Sequence, residues 1–206
     1  RSSQLESNNT ATLSTSYFPC IAYLSIINKH ENILIDTFEA FQKQTHRNRT
    51  YILSANGVLQ LVVPIKRLKD VSLPISQTEI CYQTPWQTNH LRAIASAYGK
   101  STYFEYYYYE IEKILKKEHR YLIDLNNEIT MLLLQKMKIP TKITPTSSYE
   151  KIAENDYRDT FDKKHLFADF TSKPYFQCFE HKFGFQHNLS ALDLLFNMGV
   201  ESKNYL

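Results

Sequence analysis

Glycine is scarce in this chain, with four residues in 206, and no G-x-G-x-x-G, Walker A or G-x-S-x-G pattern occurs. That argues against dinucleotide oxidoreductases, P-loop enzymes and hydrolases built on a nucleophile elbow, all of which need glycine where backbone approaches ligand. The three cysteines, Cys20, Cys81 and Cys178, are scattered without a C-x-x-C pair. A disulfide framework and a zinc site therefore find no support, and a reduced, cytoplasmic setting fits best. The histidines form no H-E-x-x-H and no i, i+4 pair, so no metal ligand set is expected. No run of eighteen apolar residues is present and the polar start lacks the apolar stretch of a signal peptide, so no membrane insertion is expected. The formal net charge of +3 is too small to indicate nucleic acid by itself, and no nucleic-acid module is recognisable. No motif names a cofactor.

What the chain has in quantity is aromatic surface: fifteen Tyr and twelve Phe, rings that mostly pack and in part can line a sugar or base site. Residues 1–10 read as a flexible leader, and residues 11–206 as one domain. Ala11 to Tyr17 is β-prone and halts at Pro19; Ile21 to Asn28 has helical spacing; Asn32 to Phe38 carries the buried-strand run Ile33-Leu34-Ile35. Strand, helix and strand in this order predict a βαβ unit with a right-handed crossover. Thr50 to Ser54 and Leu59 to Ile65 flank Ala55-Asn56-Gly57, a hairpin in which Asn-Gly supplies positive φ. Thr78 to Tyr82 reads as another strand, followed by a helix with Thr84 as N-cap and Pro85 at the first helical position. Helices are predicted over 104–117 and 122–138. Residues 141–173 read as an irregular arm, either disordered or a lid. Ser190-x-x-Asp193 predicts a capping box for a short amphipathic helix closed by Gly199. The sum is an α/β fold: a mixed sheet opened by a βαβ unit, with a hairpin and helices packed on the sheet.

The densest chemistry lies in Gln42-Lys43-Gln44-Thr45-His46-Arg47-Asn48-Arg49, between two predicted strands. Arg offers a planar fork for phosphate or carboxylate, Lys a point charge, and Asn or Gln paired donors and acceptors for hydroxyls. The set suits an anionic, hydroxyl-rich small molecule such as a nucleotide sugar or an activated acyl donor; a solvated basic loop would account for it equally well. His46 is the candidate for proton transfer, since an imidazole titrates near neutrality, although a lone His beside Arg is more often a hydrogen-bonding residue. Lys43, Arg47 and Arg49 would hold the anion, Gln42 and Asn48 would orient the acceptor, and Tyr17 and Tyr23 would flank the same cleft at the carboxyl ends of the first parallel strands. Trp86 and His90, one turn apart on a predicted helix, are secondary candidates that packing explains equally well.

Taken in order, Tyr17-Phe18-Pro19 with Tyr23, the 42–49 segment, Leu61-Val62-Val63-Pro64-Ile65, and Trp86 with His90 and Tyr98 resemble the motifs of WbqC-like proteins. Pro174 to Gln177, Asn188-Leu189-Ser190 and Leu194 to Gly199 resemble the shorter branch of that family in Bacteroides-like bacteria. Ser14-Thr15-Ser16 stands where His-Gln-Pro is usual, and Ala22 where Gly commonly precedes the Tyr. The resemblance implies a place in O-antigen and related cell-surface polysaccharide biosynthesis, as a transferase of an amino-acid (glycine-like) or acyl group to a sugar intermediate. The lost His-Gln-Pro leaves open the alternative of a non-catalytic binding or scaffold protein for an anionic glycan precursor or a partner enzyme.

Overall fold

The run Ile33-Leu34-Ile35 forms the middle of a parallel sheet in the computed structural model of the chain, which describes residues 9–67, 72–153, 155–161 and 170–206. Strand β1 (Thr10–Ser14) leads through helix α1 (Ile21–Asn28) to β2 (Asn32–Asp36), and β1 and β2 pair in parallel with Ala11 beside Ile33 and Leu13 beside Ile35. These four apolar residues are buried, as are Thr12 and Ser14 of β1, because a parallel strand is covered on both faces. The expected βαβ opening is thus present, with β1 ending at Ser14 instead of Tyr17. Of the leader expected over 1–10, only Asn9 and Thr10 lie within the described residues, and Thr10 opens β1.

The turn after β1 is held from the far end of the chain. Phe18 has φ +38°, a strained value for an aromatic residue, and its carbonyl accepts hydrogen bonds from Thr50 Oγ1 (2.8 Å) and Ser190 Oγ (3.1 Å). Asn188 Oδ1 accepts the N–H of Ala22 at 2.9 Å, satisfying one of the orphan donors in the first turn of α1.

Strands β3 (Arg49–Ser54) and β4 (Gly57–Val62) form the expected antiparallel hairpin. Its positive φ falls on Gly57 alone (+108°), while Ser54 Oγ accepts the Asn56 N–H and donates to the Gly57 carbonyl. Thr78 to Tyr82 is no strand: it makes isolated bridges only, Ile80 to Ile65 and Glu79 to Tyr121. Helix α2 (Trp86–Tyr98) starts one residue later than expected, so Pro85 occupies the N-cap and Thr84 provides no capping hydroxyl. Helices α3 (Phe104–Leu115) and α4 (Leu122–Lys136) follow.

The expected irregular arm contains a strand. β5 (Lys142–Pro145) pairs in parallel with β2, giving the sheet order β1-β2-β5. Further on, Thr12 of β1 exchanges backbone hydrogen bonds with Asn155 (3.1 Å) and Tyr157 (2.9 Å). Whether the arm acts as a lid falls partly on residues 154 and 162–169, which lie outside the described residues. A one-turn helix α5 (Glu180–Phe183) precedes α6 (Ala191–Met198), which ends at Gly199 with φ +59°. α6 is buried almost all round instead of amphipathic. Ser190 caps it by accepting the Leu192 N–H, whereas Asp193 turns away from the expected box and accepts hydrogen bonds from Tyr175 Oη (2.6 Å) and Gln177 Nε2 (3.0 Å). No helix among the described residues is long and apolar enough to cross a membrane.

Burial pushes the Asp193 carboxyl up from 3.8 to about 6, against the hydrogen bonds that favour its charge. The folded chain therefore holds this proton more tightly than the unfolded chain, and stability falls as pH rises from 3.8 to about 6, by roughly 3 kcal/mol at about 1.4 kcal/mol per pH unit. Asp193→Asn is expected to remove this loss, so that its unfolding free energy relative to wild type climbs across that interval in urea melts. A difference that stays flat with pH would refute it.

Candidate functional site

The three parallel strands release their chains at one end of the sheet, where the polar residues Ser14, Asp36 and Thr146 lie at or just beyond the strand ends. Arg47, 2% exposed, is buried there. Its Nε donates to Glu39 Oε1 at 2.9 Å, and its Nη2 donates to Glu39 Oε2 and to Ser14 Oγ, each at 3.0 Å. Ser14 Oγ in turn donates to Glu39 Oε2. Burial pushes the Glu39 carboxyl above its usual range, and the Arg47 guanidinium opposes that shift. Asn126 of α4 ties in the neighbouring backbone, its Nδ2 donating to Thr15 Oγ1 (3.0 Å) and to the Arg47 carbonyl (2.8 Å). A second buried cation, Arg158, reaches Asp36 (2.8 Å) and Asp156 (2.6 Å) and donates to the Glu150 carbonyl. Asp36 Oδ1 meanwhile accepts the N–H groups of Phe38 and Glu39.

Two hollows are lined by chain neighbours of these residues. The strand-end hollow, of about 200 Å³, opens beyond β1, β2 and β5 between Thr15, Ser16, Tyr23 and Thr37 on the sheet side and Asn127, Thr130 and Met131 of α4. The basic hollow, of about 450 Å³, is lined by Lys43, Gln44, Asn48, Arg49, Lys66 and Arg67 with two apolar residues. No carboxylate lines it among the described residues. Two buried polar atoms on its walls, Asn48 Oδ1 and Arg49 Nε, have no hydrogen-bond partner among the described residues. Asn48, 7% exposed, spends its Nδ2 on the Val63 carbonyl (2.9 Å), which leaves its acceptor unused at the hollow's edge.

The residues expected to share one cleft are divided. Lys43, Asn48 and Arg49 meet in the basic hollow; Tyr23 lines the strand-end hollow and donates to the Ser14 carbonyl at 2.7 Å; Gln42 lines a third depression with Asp36, Glu39, Asp156 and Asp159 and the cations Lys151 and Arg158. Arg47 is buried against Glu39 and Ser14. His46 is buried with its ring 5.5 Å from that of Tyr51 and lines neither hollow. Tyr17 is fully buried, and its hydroxyl lies 2.7 Å from His90 Nδ1, while His90 Nε2 lies 3.1 Å from the Val62 carbonyl. A carbonyl only accepts, so Nε2 carries the proton and Nδ1 accepts from Tyr17. Trp86 packs edge-on to this imidazole at 5.1 Å. The Tyr17, Trp86 and His90 group therefore joins the β1 turn to α2 and β4 as packing.

Sequence reasoning missed Lys66 and Arg67, although a basic pair directly after the Pro64-Ile65 strand end was a usable signal. It also missed Glu39, which carries no local cue because its partner Arg47 comes from a different turn. Thr37 and Thr130 were unremarkable until the fold brought them together with Thr15.

Comparison with known proteins points one way. The sequence model of the WbqC-like protein family matches residues 15–161. The uncharacterized protein Rv1507c of Mycobacterium tuberculosis is 23% identical over 223 residues, covering 95% of this chain and 96% of that protein. No solved structure matches significantly. The matched span holds both hollows.

Two outcomes follow from this geometry. Arg47→Ala strands the Glu39 carboxylate and is expected to cost about 3–5 kcal/mol of stability, read as a lowered denaturation midpoint; an unchanged midpoint would show that Arg47 does not hold the strand ends. Burial brings His90 down from 6.5 to about 4, so the unfolded chain takes a proton that the folded one refuses. Stability should therefore fall as pH drops from 6.5 to about 4, by roughly 3 kcal/mol. His90→Gln should remove this acid-side loss in urea melts at stepped pH, and a variant as acid-sensitive as wild type would count against the assignment.

Proposed function

The chain belongs to the WbqC-like protein family, and from that premise we propose that it binds an anionic, activated sugar or acyl derivative used in cell-surface polysaccharide assembly, with the basic hollow as the seat of the anion. The observation that carries this reading is the convergence of Lys43, Arg49, Lys66 and Arg67 on a hollow without a lining carboxylate among the described residues. Like charges gathered around a concavity raise the local potential and favour a phosphate or carboxylate over a neutral ligand. Lys66 has a partial partner in Glu79 at 3.5 Å, an exposed pair of little energetic consequence. Arg49 supplies the planar fork, Lys43 a mobile charge, and Asn48 Oδ1 an acceptor for a hydroxyl beside the anion. In its catalytic form the reading is a transferase that moves an amino-acid or acyl group onto a sugar intermediate, in the cytoplasm where activated donors are made.

One observation favours the non-catalytic form, a binding or scaffold protein. Neither His46 nor His90 lines either hollow, and His90 is held neutral by burial.

Calorimetric titration with inorganic pyrophosphate and with uridine diphosphate tests the anion seat. Arg49→Ala and Lys43→Ala are each expected to weaken binding about 5- to 30-fold, the effect of losing a charge-assisted hydrogen bond, and affinity should fall with added salt. Wild-type affinity in both variants would sink the reading. Incubation with activated glycine donors and nucleotide sugars separates its two forms: transfer abolished by His46→Ala supports the enzyme, and saturable binding without turnover supports the binder.

A further inference from the structure

The strand-end hollow has a chemistry opposite to that of the basic one. Thr15 Oγ1 accepts from Asn126 Nδ2, and no acceptor for its own O–H is found among the described residues. Thr130, 6% exposed, makes no side-chain hydrogen bond among the described residues although it stands on the wall. The Thr37 hydroxyl has only long contacts to Thr146, at 3.4 and 3.5 Å. Asn127 adds an exposed amide at the rim. Three hydroxyls and an amide thus offer both donors and acceptors at one opening.

The remaining surface is apolar. Ile35, Ile143, Pro145 and Met131 complete the walls, and no charged side chain lines the hollow among the described residues. Nearby, Glu39 and Arg47 neutralise each other at 2.9–3.0 Å, and neither lines the hollow. A free phosphate or carboxylate would lose its hydration there without a compensating cation. A neutral ligand with hydroxyls around an apolar ring would match both the polar rim and the apolar faces. At about 200 Å³ the hollow falls below the roughly 300–1,000 Å³ usual for drug-sized ligands, which limits the occupant to about one ring. Its position outside the carboxyl ends of parallel strands is where open α/β sheets take their ligands.

We propose that the hollow bounded by Thr15, Thr37 and Thr130 is a binding subsite for a neutral monosaccharide ring, separate from the basic hollow. The assignment stands on its own geometry and does not depend on the anion seat. Asn126 links the two regions, since one Nδ2 holds both Thr15 and the backbone beside Asn48. A sugar ring in one hollow and a charged group in the other would then occupy two sites joined through one buried amide, as the two substrates of a transfer.

The test is saturation-transfer-difference NMR on the full chain with glucose, galactose and N-acetylglucosamine as probes. At least one is expected to bind saturably, with Kd on the order of 1 mM. Thr130→Val, which keeps the shape and removes the hydroxyl, should weaken binding about 3- to 10-fold. Met131→Trp, a change at a half-exposed residue (52%) that spares the core, should close the opening and abolish the signal. Arg49→Ala should leave it unchanged. Absence of binding by all three sugars, binding that survives both Thr130→Val and Met131→Trp, or binding lost in Arg49→Ala would each overturn the proposal. The pyrophosphate titration reports separately on the anion seat, so the failure of one assignment is distinguishable from the failure of the other.

Discussion

The buried Arg47 guanidinium is the point on which the rest of the molecule depends. It closes a fork onto Glu39 and reaches Ser14, so that the end of β1, the turn beyond β2 and the basic 42–49 segment share one charge pair. Removing both ions from water is costly, and their attraction repays that only with good geometry and further hydrogen bonds. Both are present: the pair is two-pronged, Ser14 adds a third partner, and Asn126 holds the carbonyl of Arg47. The strand-end hollow is lined without charge among the described residues, while the cations left in the same segment, Lys43 and Arg49, line the basic hollow.

The C-terminal region does similar work through neutral hydrogen bonds. Asn188, Leu189 and Ser190 bind the N-terminal turn of α1 and the strained Phe18 carbonyl, and α6 buries nearly its whole surface. The 190s are therefore as much a part of the opening βαβ unit as the residues of the unit itself. This is why a motif far along the chain reads together with Tyr17-Phe18-Pro19: the two form one packed turn.

How much was legible in the sequence depends on how local each cause is. The βαβ opening, the hairpin and helices α2 to α4 follow from periodicity within ten or fifteen residues, and they were readable to within a few residues at their ends. β5 was hidden because Lys-Ile-Thr-Pro is too short and too polar for a pattern, and its partner β2 lies more than a hundred residues earlier. Thr78 to Tyr82 misled because β-prone residues in an extended segment satisfy their backbone through isolated bridges as well as through a ladder. Asp193 sits at capping-box spacing yet is taken by Tyr175 and Gln177, a tertiary preference that spacing does not encode. At the site, composition located the basic segment but not its division: neighbouring residues 46 to 49 point to a buried ring contact, an ion pair and a hollow, and only the fold sorts them. Arg47, expected to hold the anion beside Lys43 and Arg49, is instead paired with Glu39 and Ser14.

The way the sheet stops has a consequence for the protein in bulk solution. β1 is covered by the pairing of Thr12 with residues 155 and 157, whereas β5 has no second neighbour among the described strands. An uncovered strand invites another chain to extend the sheet, and β5 counters this by being only four residues long, beginning with the exposed Lys142 and ending with Pro145, which has no N–H to donate. A newcomer would meet a positive charge at one end and a missing donor at the other, which disfavours edge-to-edge aggregation of this protein at high concentration.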